Sequence, residues 1–247
     1  MEQPKSPGTG PVDLRDCIDQ LLKFVLQSHI DETLELDLGL SRDYCCNLLR
    51  EDSRDQGEGV PQSPLYKRLA LLLHELITCT KLCGTNRTAW REMLADKGSE
   101  LLDVFNAINF ELHVQEPFFT QLKGGLKTIE GRCAAGNYKR IAAGSLILFN
   151  KCLVLEVEDV HSYNSFSEML LAEGLQKVLP GVRTAEEGVS VYRKFYTEEK
   201  ERSNGVAAIC VTKPASQPHN ILASIISKLS YSGIESILSS NTHAALT

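Results

Sequence analysis

No apolar stretch in this 247-residue chain approaches the roughly 20 residues that cross a bilayer, so no membrane partner is expected. The leading residues, Met1 to Pro11, are polar and proline-rich, which is the wrong composition for a secretory leader. The expectation is an intracellular protein, cytoplasmic and/or nuclear, with its eight cysteines as reduced thiols. Positive charge is not in excess either: 26 Lys+Arg stand against 32 Asp+Glu, a net charge of −6. That excludes a protein that coats nucleic acid through bulk charge. Zinc-type spacing is missing as well. Cys45 and Cys46 are adjacent and Cys79 and Cys83 are four apart, with no matching His or Cys pair, so neither a metal nor any other cofactor is expected. No Walker spacing and no Ser/His/Asp or Cys/His set can be proposed.

Apolar residues make up 43% of the chain, enough for a core. The acidity is confined to one part. Residues 1–109 hold 12 Lys+Arg and 18 Asp+Glu, while residues 110–213 hold 13 of each. The first part also has helical periodicity. Leu14, Ile18, Leu21, Leu22 and Val25 mark a helix over Val12 to Ser28, and Ser41 caps another to Arg50. Residues 34–40 alternate leucines but contain Gly39, and they are read as irregular. Ser63-Pro64 reads as an N-cap followed by Pro at N1, opening a helix that Gly84 stops. A further helix spans Thr88 to Ile108, with Gly98 as a candidate break.

After residue 110 short apolar runs replace the helical stripe. Glu111 to Gln115, Leu146 to Phe149, Cys152 to Val160 and Val206 to Thr212 read as strands. Glu116 to Lys123 reads as a short helix. Capping boxes at Ser165-x-x-Glu168 and Thr184-x-x-Glu187 open helices to Glu173 and Tyr196. Beyond Pro214, residues Ile221, Leu222, Ile225, Ile226 and Leu229 form an apolar helical stripe, expected to dock on the other helices.

The organising stretch is Gly124-Gly125-Leu126-Lys127-Thr128-Ile129-Glu130-Gly131-Arg132. The glycines end a helix and admit left-handed backbone. With Lys127 still in the turn, the alternation puts Glu130 and Arg132 on one strand face, and all three converge on one groove. Two cations beside one carboxylate keep the acid ionised and leave net positive charge, which suits a nucleotide-like ligand. The plainer reading is an exposed ion pair on a solvated strand. Lys139 and Arg140 then supply phosphate contacts, and Tyr138 a stacking face for a base.

The spacing Gly125-x-Lys127-x-x-Glu130-x-Arg132 resembles the G-x-K-x-x-E-x-R signature of the ASCH domain. The resemblance implies an α+β fold: a PUA-like small mixed β-barrel preceded by an all-α helical region. The resemblance covers about residues 110–213, and with the composition and periodicity above the expected divisions are a disordered lead at 1–11, a helical domain at 12–109, the ASCH domain at 110–213 and a tail with an amphipathic helix at 214–247. The resemblance also implies RNA or a nucleotide-like ligand in a cleft lined by the motif, so that with the residues read above the expected ligand contacts are Lys127, Glu130, Arg132, Tyr138, Lys139 and Arg140. One departure is Gly144-Ser145, where many members have Gly-Asp. Some small ASCH-like proteins are amidohydrolases acting on N4-acetylcytidine. That alternative makes Lys127 and Glu130 catalytic, with Glu168 or Glu173 as a distant acid. It departs from the pattern, because a threonine is expected where Glu130 stands. A third alternative makes the acidic helical half a scaffold for a protein partner.

Overall fold

Asp13 opens the first helix: its carboxylate accepts the Asp16 backbone N–H at 3.2 Å. Helix α1 (Leu14–Ile30) then buries Cys17, Ile18, Leu21, Leu22, Val25 and Leu26 along one stripe. Each fully buried leucine or isoleucine there stabilises the fold by about 1.5–3 kcal/mol. Ser41 caps α2 (Arg42–Leu49) by accepting from the Tyr44 N–H at 3.2 Å. The intervening leucines form no strand; Leu38 and Leu40 are simply buried. Pro64 is the N-cap of α3 (Leu65–Thr78) and makes no side-chain capping bond. The expected cap Ser63 and stop Gly84 lie outside the residues described by this computed structural model, which are 12–50, 64–79 and 89–239. Helix α4 (Ala89–Asn106) runs through Gly98 without a break. A Cβ there would stand 3.1 Å from Ile77, so the glycine serves the approach of α4 to α3.

The next part alternates strands and short helices. In order it holds β1 (Phe110–Leu112), α5 (Phe118–Lys123), β2 (Ile129–Cys133), a 3-10 turn at Gly136–Arg140, β3 (Leu146–Phe149) and β4 (Leu153–Tyr163). Then follow α6 (Phe166–Glu173), α7 (Leu175–Val178), α8 (Ala185–Arg193), α9 (Glu198–Asn204) and β5 (Val206–Thr212). The strands form one five-stranded sheet in the order β1-β3-β4-β5-β2, curled into a half-barrel. Only β1 and β3 run parallel; the other pairs are antiparallel. A register shift between Val157 and Asp159 marks an irregularity in β4.

Both expected caps form, with Ser165 accepting from the Glu168 N–H at 3.1 Å and Thr184 from the Glu187 N–H at 3.2 Å. The second helix, α8, stops at Arg193, short of the expected Tyr196. The reason is a further helix: Thr197 caps α9 by accepting from the Lys200 N–H at 3.2 Å. Helices α6 and α8 cover β2 and β5 through Phe166, Met169, Leu170, Tyr192 and Ala208. The Phe166 and Tyr192 rings stack at 4.0 Å between centroids. At the start of α6, the buried Glu201 carboxylate of α9 accepts the Phe166 N–H at 2.6 Å and pairs with Arg193.

The last helix, α10 (Pro218–Ser239), kinks at Ser230, where φ is 55°. Its stripe of Ile221, Leu222, Ile225, Ile226 and Leu229 is buried, and the helix packs on α1, α3 and α4. By length and composition α10 could cross a membrane, but 50% of the qualifying stretch is buried as in a core helix. Tyr231 of α10 packs edge-on against Tyr44 at 4.8 Å and accepts the Ser41 N–H through its hydroxyl. The chain thus divides into two units: residues 12–106 with 216–239 make a helical one, and residues 107–215 make the α+β one.

Candidate functional site

The turn between α5 and β2 is built largely by Gln121. Its carbonyl accepts the N–H groups of Leu126 at 2.9 Å and Lys127 at 3.1 Å, while its side-chain amide donates to the Pro180 carbonyl at 3.1 Å. Gly124 is the helical C-cap, and Gly125 takes the left-handed backbone with φ 74°. Lys127 is therefore in the turn, and Ile129 begins β2. Thr128 ties the turn to both sides, donating to the Lys177 carbonyl at 3.0 Å and accepting from the Val211 N–H at 2.9 Å. Alternation then sends Glu130 and Arg132 to one face of β2. Gly131, on the other face, lies against Tyr192 and Met169.

Lys127, Glu130 and Arg132 meet. Glu130 Oε2 lies 3.1 Å from Lys127 Nζ, and Glu130 Oε1 lies 2.8 Å from Arg132 Nε. They meet inside the unit: Lys127 is 2%, Glu130 7% and Arg132 6% exposed. The solvated ion pair is therefore not what forms, and neither is a wide-open groove wall. Lys127 Nζ also donates to the carbonyls of Ile129, at 2.6 Å, and Val178, so each of its three donors has an acceptor. Arg132 donates to the His113 carbonyl at 2.7 Å. Its Nε approaches Glu130 closely but makes no hydrogen bond of good geometry.

Burial drives each charge toward neutrality, and the neighbours oppose it. Burial lowers the Lys127 ammonium pKa, against the pull of Glu130. Burial also raises the Glu130 carboxyl, but Lys127 and Arg132 outweigh it, so that pKa sits below its ordinary value of 4.5. Burial disfavours the Arg132 guanidinium too, and Glu130 more than compensates, holding it charged. The result is two basic side chains on one carboxylate in a low-dielectric setting, where any excess charge is costly without further acceptors.

Tyr138, expected as a stacking face, is 4% exposed, and its ring lies 5.9 Å from the Arg132 guanidinium carbon. Its position packs it onto the cluster, and a base reaches the ring only if the turn opens. The same 3-10 turn carries Lys139 and Arg140 into solvent. Two tyrosines escaped the sequence reading as site residues. The buried Tyr192 and Tyr196 hydroxyls act electrostatically on the cluster, and Tyr196 Oη approaches Arg132 without a hydrogen bond of good geometry. Tyr192 was legible only as an inward-facing helix position, and Tyr196 only as the expected end of that helix. Buried polar atoms left unpaired beside a charged cluster are where a polar ligand or water would add most.

Residues 112–215 match the family model of the ASCH domain. The chain is also similar to solved structures, among them the following two. One is the crystal structure of hypothetical protein PH0355, with 43% identity over 42% of this chain and 97% of that one, at a TM-score of 0.41. The other is the solution NMR structure of protein PF0455 from Pyrococcus furiosus, with 44% identity over 43% of this chain and 97% of that one, at a TM-score of 0.39. No curated protein matches the chain.

Proposed function

This chain belongs to the ASCH domain family through residues 112–215, and on that premise we propose that it binds RNA at the face formed by the α5–β2 turn and the 3-10 turn after β2. ASCH domains are PUA-like and generally linked to RNA binding. The observation that supports the site is the buried cluster of Lys127, Glu130 and Arg132, two basic side chains on one carboxylate. In a poorly screened interior that basic excess favours a nucleotide's anionic and carbonyl groups. Lys139 and Arg140, exposed on the adjoining turn, hold phosphate. Arg132 and Tyr196 offer polar atoms that the protein itself does not fully pair. The target is a single-stranded segment or loop, because only an unstacked base reaches so enclosed a cluster.

The amidohydrolase alternative needs Lys127 as a base. Burial lowers its pKa, but the residue is 2% exposed and its amine is already engaged by two carbonyls and Glu130, which favours a positioning role over proton transfer to a substrate. The binding reading therefore takes precedence. Its test is fluorescence anisotropy of the full chain with a labelled single-stranded RNA at several salt concentrations. Salt-sensitive binding that weakens on Arg132→Lys, in protein shown to be folded by circular dichroism, is the expected result. No binding at low salt would overturn the proposal.

A further inference from the structure

Away from that cluster, β4, β5 and the last residue of α6 bring a second chemical set together. The register places Asp159 opposite Cys210, and His161 two residues further along β4 falls on the same face. The register shift between Val157 and Asp159 sets this parity, as β-bulges do when they re-aim a side chain. Glu173, at the C-terminal end of α6, closes the group from the side. His161 offers Nδ1 to Glu173 Oε1 at 2.6 Å and Nε2 to Asp159 Oδ2 at 3.1 Å. The Tyr163 hydroxyl donates to the same Glu173 oxygen at 2.7 Å. Ligand atoms of His161, Glu173 and Cys210 all lie within 4.8 Å of one another.

We propose that His161 Nδ1, Glu173 and Cys210 Sγ form a binding site for a divalent transition metal, zinc being the ion their chemistry suits best. Imidazole, carboxylate and thiolate are the three ligand types zinc takes, and in a tetrahedron they stand about 3.3–3.8 Å apart. The observed separations need only a small side-chain adjustment to reach that. The surrounding bonds are those of a supporting shell. With the metal on Nδ1, the His161 Nε2–H donates to Asp159, which fixes the tautomer and the ring plane. Tyr163 orients the Glu173 carboxylate in the same way. On binding, Cys210 gives up its thiol proton and the metal replaces the proton between His161 and Glu173. The His161 side chain is 44% exposed, so the fourth position faces solvent and takes water.

A competing account is an imidazolium bridging two carboxylates. It uses Asp159, His161 and Glu173 equally well and leaves the Cys210 thiol idle, so the thiol separates the two. The experiment titrates metal-stripped full-length protein with cobalt(II), followed by displacement with zinc. Expected is one equivalent of cobalt with a thiolate-to-cobalt charge-transfer band that zinc abolishes. The band should vanish in Cys210→Ser and His161→Ala and persist in Cys46→Ser and Cys79→Ser, whose thiols are exposed elsewhere. Asp159→Asn should keep the band and weaken affinity about 10–100-fold. Failure of folded wild-type protein to bind one equivalent, or a band that survives Cys210→Ser, would overturn the proposal. Cys210→Ser is nearly isosteric, so its folding can be verified by the same circular dichroism spectrum as the wild type.

Discussion

Gly131 faces the hydroxyl of Tyr192 so closely that no side chain fits between them. A Cβ on Gly131 would overlap Tyr192 Oη and come within 2.7 Å of Met169 Cε. The glycine therefore sets how near α8 can lie to β2, and with it where the charged face on the other side of that strand sits. Gly131→Ala is expected to destabilise the α+β unit by about 1–3 kcal/mol through overpacking. Tyr192→Phe in the same chain should recover part of the loss. Urea denaturation of the single and double variants reads both.

Glu130 is the only carboxylate between two buried cations, so its removal should cost more than its own contacts. Glu130→Gln is expected to lower stability by roughly 3–5 kcal/mol, since it leaves like charges buried together. Its pH signature has a fixed sign. The folded pKa lies below the ordinary 4.5, so the contribution is complete above that value and is lost as the pH falls through the lowered folded one. Denaturation midpoints measured downward from pH 6 should fall steeply below about pH 4.5 in the wild type, and less steeply in Glu130→Gln.

Much of this architecture was legible in the sequence because local chemistry agreed with the tertiary outcome. Ser165 and Thr184 cap helices where their capping boxes stand, and the apolar runs at Leu146–Phe149 and Val206–Thr212 are strands over those same residues. The parity that joins Glu130 to Arg132, with Lys127 in the turn, also follows from the order of residues alone. What the residue order did not reveal was their burial. Lys127 is held by the carbonyl of Val178 and Arg132 by that of His113, and backbone acceptors distant along the chain leave no mark in composition. Helix α9 was missed because Glu198-Glu199-Lys200-Glu201 looks like a solvated charge run, although Glu201 turns inward to Arg193 and Phe166. Glu173 was named only as a candidate distant acid, and its grouping with His161 and Cys210 escaped for a related reason: groups on two strands and a helix share no short spacing.

Lys139 and Arg140 carry the salt dependence of the proposed RNA contact. Changing both to Ala should weaken binding and reduce the slope of log affinity against log salt by about 1.4, the loss of two single-strand phosphate contacts. Stability should be almost unchanged, because both side chains are exposed. A slope identical to the wild type would place the phosphate contacts elsewhere. Anisotropy titrations over a salt series supply the measurement.

Helix α10 is a structural member of the helical unit and not an appendage. Ending the chain after Ala215 uncovers the apolar stripes of α1, α3 and α4 that α10 covers. The truncated protein is expected to bind a hydrophobic dye and to lose helical signal by circular dichroism beyond the 22 residues of α10. Its α+β unit should still give dispersed amide resonances.

That division of one unit between both ends of the chain bears on how the protein is made. Along the sequence the half-barrel lies between the two parts of the helical unit, so it leaves the ribosome whole while α1 to α4 still wait for their last partner. A premature stop within α10 would therefore be felt most by the residues translated first.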